Sequence, residues 1–149
     1  MADDNLAPLL AQILSDNDPI NIAADGFIYP GSPGKTIQDA CLEGVHKTAI
    51  WIRRISKTEE GFLGSITTCD YLYDQLIQVD VLSKLSEVAA FDLADKVEAA
   101  LKAVSTKSYA GSSRKTDLQL HSRMPLWDDK LSCWVEMIRF RAKGAYVSA

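Results

Sequence analysis

Residues 73–104 read YDQLIQVDVLSKLSEVAAFDLADKVEAALKAV, and the change of rhythm inside this stretch decides the fold. Its first ten residues have a period of two. Ile77, Val79 and Val81 point one way, Gln78 and Asp80 the other, which is a strand with one buried and one wetter face. After Ser83-Lys84-Leu85-Ser86 the spacing becomes helical. Val88, Phe91, Ala94, Val97 and Leu101 recur at steps of three and four, with Asp92, Asp95, Lys96 and Glu98 mostly off that stripe. Ser83 or Ser86 is placed to cap the helix, because a short side-chain oxygen satisfies an amide that has no intrahelical partner. A central strand feeding a helix that lies back on its own sheet gives a two-layer α+β domain. The expected form is a small, mainly antiparallel sheet flanked by an N-terminal helix and this central helix.

The residues upstream supply the first of those helices. Asp3, Asp4 and Asn5 offer caps, and Leu6, Leu9, Leu10, Ile13 and Leu14 form one apolar stripe. Pro8 fits because it falls in the first turn, and Asn17-Asp18-Pro19 reads as the stop. Gly26–Tyr29 reads as a short strand, and Pro30-Gly31-Ser32-Pro33-Gly34 as a loop. Thr36–Val45 has room for one short helix ending at Gly44. Ala49–Ser56 is a strand rich in β-branched residues, with Arg53 and Arg54 placing one positive charge on each face. Glu59–Asp70 and Ser105–Asp117 read as long polar loops. Downstream, Leu118–Met124 reads as a strand, Pro125–Lys130 as a turn and Leu131–Arg141 as the last strand. There Trp134, Ile138 and Phe140 share a face. Residues 142–149 read as a frayed tail.

At 149 residues, with 47% apolar and 24% charged side chains, the whole chain 1–149 is expected to form one domain with a core of its own. The formal net charge of −4 gives no general attraction to nucleic acid. No run approaches the roughly 18 apolar residues of a membrane span, so no membrane partner is expected. The acidic start Met-Ala-Asp-Asp-Asn does not read as a secretory signal. Cys41, Cys69 and Cys133 are odd in number and not at metal-clip spacing, which reads as reduced thiols.

Few motifs carry chemistry. Gly31-Ser32-Pro33-Gly34-Lys35-Thr36 resembles the end of a phosphate-binding loop. That pattern needs four residues before Gly-Lys-Thr, and Tyr29 stands where its first Gly belongs. His46 and His121 have no carboxylate or cysteine at helical ligand spacing, so no metal site is expected. No Gly-x-Ser-x-Gly elbow occurs. Exposure and chemistry instead single out contact residues. These are Arg53 and Arg54 on the second strand, Arg114 and Lys115 in a Gly/Ser-rich loop, and Trp127, which follows Pro125 in a turn beside Asp128 and Asp129.

In order, the elements are an amphipathic helix, Gly26-Phe27-Ile28-Tyr29-Pro30-Gly31, and Ile50-Trp51-Ile52-Arg53-Arg54. The Gln75–Val81 strand follows, joined to the Asp92–Leu101 helix, and a final strand closes the series. From about Leu6 to Arg141 this resembles the tail-completion or tail-terminator proteins of long-tailed bacteriophages. The segment Lys35–Lys47 departs from that pattern by its length. The resemblance implies a non-enzymatic virion protein with no cofactor, assembled in the host cytoplasm and located in the tail or neck. It implies a homo-oligomeric ring, usually of six, that sits on the last ring of tail tube protein and stops its growth. The same ring offers a surface to the head connector and neck proteins, and to the sheath where the tail is contractile. An acidic subunit suits a lumen through which DNA passes without specific binding, because like charge repels the phosphates. Two alternatives stay open. One is another neck ring, either a head-completion or stopper component or a connector adaptor. The other is a small nucleotide-binding cytosolic protein built on Gly34-Lys35-Thr36.

Overall fold

The computed structural model describes residues 6–24, 27–31, 47–62, 71–103, 114–129 and 132–146. In chain order these form α1 (Ala7–Ser15), α2 (Asp18–Ala23), β1 (Ile28–Pro30), β2 (Thr48–Phe62), β3 (Tyr71–Ser83), α3 (Glu87–Ala103), β4 (Arg114–Asp128) and β5 (Cys133–Tyr146). The five strands make one sheet in the order β1-β2-β3-β5-β4. β1 runs parallel to β2, and every other pair is antiparallel. The α+β class with a mainly antiparallel sheet is therefore the observed one. β3 and β4 point the same way with β5 between them, so α3 is the crossover that carries the chain past the place β5 later fills.

Alternation along the strands builds the core. Ile50 and Ile52 of β2, Ile77, Val79 and Val81 of β3, and Ile138, Phe140 and Ala142 of β5 are all buried on one face. Register sets them side by side: Ile52 opposite Val79, Val79 opposite Ile138, and Ile77 opposite Phe140. Leu6, Leu10 and Leu14 from the first helical segment, with Leu93, Val97 and Leu101 of α3, close this layer in a single cluster. Burial of branched apolar side chains on both sides of that layer is the main stabilising term, roughly 1.5–3 kcal/mol for each large side chain before chain entropy is set against it.

The local signals act as expected in part. Ser86 caps α3, its hydroxyl oxygen accepting from the Ala89 N–H at 3.0 Å, while Ser83 accepts from Leu85 instead. α1 begins later than Asp3 to Asn5 suggest: Leu6 is its N-cap and has no side-chain bond, and the three polar residues lie outside the described residues. Asn17-Asp18-Pro19 does not simply stop a helix. Asn17 caps α2, accepting from the Ile20 N–H at 3.3 Å, and Pro19 sits in its first turn. Asn and Pro are start signals as much as stop signals, and here they do both. On α3 the buried stripe is Ala90, Leu93, Ala94, Val97 and Leu101. Val88 and Phe91, expected in it, are exposed. A stripe centred on Leu93 and Val97 leaves both of them on its flank.

The strands are longer than the sequence reading allowed. β2 continues through Glu59–Phe62, expected as loop, and is held by pairing with Tyr71–Tyr73. β4 begins at Arg114, inside the expected loop 105–117, and runs through Pro125 and Trp127, expected as a turn. Proline is admissible there because β4 is an edge strand, where a missing N–H costs no ladder bond. β5 extends through Ala142–Tyr146, expected as a frayed tail, and is paired on both sides by β3 and β4. Register shifts mark bulges at Ile55 and Glu60 in β2 and another at His121 in β4. The expected helix Thr36–Val45, most of the Gly31–Thr36 motif, and residues 63–70, 104–113 and 147–149 lie outside the described residues.

Candidate functional site

No described helix covers the second face of the sheet, which carries a chain of polar contacts across three strands. Register places Arg53 of β2 opposite Gln78 of β3, and Gln78 opposite Arg139 of β5. Asp80 lies two residues on, on the same face. Gln78 Nε2 donates to both Asp80 carboxylate oxygens at 3.0 and 3.2 Å. Arg139 Nε donates to Gln78 Oε1 at 3.2 Å. An Arg53 terminal nitrogen stands 3.7 Å from Asp80 Oδ2, and the Arg53 guanidinium lies 4.0 Å above the Trp51 ring. Trp51 in turn donates its indole N–H to the Gly31 carbonyl. Gly31 follows β1 with a φ of 99°, a left-handed value that suits glycine, and its own N–H donates to Ile52 O at 2.7 Å. Trp51, Arg53, Gln78 and Asp80, with the neighbouring Leu82, Leu126, Asp128, Val135 and Met137, line a cavity of about 190 Å³.

Gln78 and Asp80, expected on the wetter face, are buried, 3% and 6% exposed. Burial pushes the Asp80 carboxyl above its ordinary value; the Gln78 hydrogen bond and the Arg53 and Arg139 charges oppose the shift without cancelling it. The folded protein thus holds this proton more tightly than the unfolded chain does. Stability from this group is highest below the unfolded carboxylate range and falls as pH rises from there through the higher folded value. Asp80→Asn is expected to remove that fall, so the stability of wild type relative to the variant should decline as pH rises through the interval. Urea titrations from pH 3.5 to 7 measure it, and a difference that grew with pH would contradict the assignment.

A second cluster sits where α3 meets β4. Arg123 Nε donates to Glu136 at 3.0 Å, one terminal nitrogen to Asp95 at 2.6 Å, and the other to the Phe91 carbonyl at 3.1 Å. The same guanidinium lies 4.6 Å from the Phe91 ring centre and 3.7 Å from Glu98. Glu136 is only 4% exposed. The carboxylate bonds outweigh partial burial and hold the guanidinium firmly in its charged form. Glu87, Phe91, Arg123, Pro125 and Glu136 line an open cleft of about 430 Å³. Both clusters tie secondary-structure elements together, and neither sets a nucleophile beside a base.

The five residues singled out from the sequence are not gathered at one place. Arg53 faces the polar chain, whereas Arg54 pairs in register with Ile77 and lies on the helical side, so the two arginines do occupy opposite faces. Arg114 and Lys115 open β4, opposite Tyr146 and Ala145. Trp127 is near the far end of the same strand, half exposed, with its ring edge-on to Trp134 at 4.7 Å between centres. Sequence reasoning missed Arg123, Glu136 and Arg139. Each depends on which strands become neighbours, and periodicity within a strand does not show that. His121 is exposed at the β4 bulge, and His46 lies outside the described residues. Among the described residues, no three His, Cys, Asp or Glu side chains form a metal-binding group.

No protein-family model matches the chain, and no curated protein does. Among solved structures, a chain of the virion of a native gene transfer agent (GTA) particle has a similar fold, with a TM-score of 0.57. The match covers 91% of this chain and 91% of that chain at 13% sequence identity. The likeness is one of fold.

Proposed function

We propose that this chain is a structural protein of a phage-like virion, and more narrowly the ring subunit that ends the tail tube and joins the tail to the head. The observation that carries the proposal is the fold shared with a chain of a gene transfer agent virion over nine-tenths of both molecules. The sequence resemblance to tail-terminator proteins, drawn on other grounds, supports the narrower form. In this reading the subunit works by shape and does not turn over a ligand. Copies of it join through unlike surfaces, a contact that closes into a ring, six being the expected number. One side of the ring covers the last tail tube subunits, and the other receives the head connector. DNA crosses the acidic lumen without specific binding.

Removing the protein from the producing cells tests this. The expected result is filled heads and separate tail tubes of uncontrolled length, with joined particles reduced by about a hundredfold or more. Electron microscopy of the lysate and mass spectrometry of purified particles are the measurements. Unjoined tubes of normal length beside heads that leak DNA would favour a head-completion ring instead. Normal joined particles, or absence of the chain from wild-type particles, would defeat the proposal.

A further inference from the structure

We infer that the outer side of α3 in one copy of this chain packs on the second face of the sheet in the next copy. This rests on the ring reading above and names the two surfaces through which such a ring closes.

The helix supplies an apolar ridge with acid beside it. Leu85, just before α3, and Val88 and Phe91 within it are 60%, 66% and 49% exposed. They recur at steps of three, so they follow one side of the helix, away from the stripe of Leu93, Val97 and Leu101 that meets the sheet. Large apolar side chains gathered on a surface in this way mark an interaction site. Glu87 and Asp92 lie within a turn of Val88. Both are exposed, and neither is paired with a cation among the described residues. The occupant this ridge suits is a surface with its own apolar strip and a cation at the border of that strip.

The second face of the sheet has that character. Met124 and Leu126 of β4 are 52% and 37% exposed, and strand alternation puts both on this face. Register sets Met124 opposite Met137 and Ser122 opposite Arg139, so the Arg139 guanidinium borders the apolar strip. Its Nε is spent on the neutral Gln78 amide, and among the described residues its terminal nitrogens have no acceptor. Asp80, two residues along from Gln78, is already bonded to that amide and paired with Arg53, whose own Nε is buried without an acceptor. Asp128, the other carboxylate at the cavity, is roughly 20 Å further along β4 than Ser122 and so does not serve Arg139. An incoming carboxylate is what this end of the face lacks. The helical layer and the second face lie on opposite sides of one sheet, so a copy uses both at once. The contact is between unlike surfaces and repeats until it closes, and each sheet gains from its neighbour the second helical layer that its own described helices do not supply.

Full-length protein carrying the photo-cross-linker benzoyl-phenylalanine in place of Val88 tests this, with native mass spectrometry and sedimentation velocity giving the size of the assembly. On irradiation the expected result is covalent dimers whose cross-link maps to residues 122–126 or 137–139 of the second copy. Val88→Glu is expected to weaken association by about tenfold or more with the melting temperature little changed, since the side chain is exposed. Arg139→Gln and Asp92→Asn should each weaken it by about fivefold, and the two together by no more than the worse of them, because each removes the same charge pair. Cross-links that fall on α3 of the second copy or elsewhere, an oligomer left intact by Val88→Glu, or effects of Arg139→Gln and Asp92→Asn that multiply would overturn this contact and leave the ring reading standing. A wild type that stays monomeric throughout would overturn the ring reading together with the contact.

Discussion

Phe140→Ala is expected to lower the stability of the protein by about 3–5 kcal/mol, a large part of the roughly 5–15 kcal/mol available to a domain of this kind. Phe140 is fully buried in β5, flanked in register by Ile77 and Leu120 and covered by the helical layer. Removing its ring loses transfer free energy and leaves a cavity that the neighbouring strands, fixed by their ladders, cannot close. The melting temperature should fall by roughly 6–20 °C, at about 2–4 °C per kcal/mol for this chain length. Phe91→Ala is the control. Phe91 is half exposed and holds mainly the Arg123 stack, so its loss should cost only about 1 kcal/mol. Urea midpoints at constant slope give both numbers. Equal costs for the two phenylalanines would show that the core has been drawn in the wrong place.

Arg123→Met is expected to cost about 3–5 kcal/mol, for a different reason. The methionine retains most of the packing volume, so the loss is electrostatic. Glu136, 4% exposed, is left with its charge in a poorly solvated place and without its cation. Asp95 contributes little to that figure, because its side chain is half exposed and water screens it. The double variant Arg123→Met/Glu136→Leu should recover most of the loss, since an ion pair removed whole takes its desolvation cost with it. Thermal melts of the two singles and the double form a closed cycle. A single variant within about 1 kcal/mol of wild type would mean that the pair is effectively solvated.

The fold was legible wherever a strand or helix carries its own period. Ile77, Val79 and Val81 announce a one-sided strand, and Leu93, Val97 and Leu101 a one-sided helix, because those spacings are set by backbone geometry alone. Where the reading fell short, the cause was pairing between distant segments. Glu59–Phe62 and Ala142–Tyr146 carry little apolar pattern, yet they are strand because partners on adjacent strands complete their hydrogen bonds. Pro125 looked like a terminator, but the outer position of β4 makes it harmless. Val88 and Phe91 met the helical rule and still face outward, since the period fixes a stripe only to within one step. The polar clusters were the least legible part. Arg123 meets Glu136 across a strand pair and Asp95 across the layer, and Arg139 reaches Gln78 from 61 residues away.

The extra residue at His121 has a bearing on how the chain can change in length over time. Upstream of it, even-numbered residues of β4 such as Leu118 and Leu120 share the helical side; downstream, odd-numbered ones such as Arg123 do. A lineage that dropped the extra residue would restore plain alternation, with Leu120 and Arg123 two steps apart and Leu118 still on the helical side. A residue lost elsewhere along β4 would instead move the bulge or turn side chains to the wrong face. The bulge is thus the place on this strand where the count of residues is free to fall by one, and relatives separated by long divergence should differ in length there before they differ in length elsewhere in the strand.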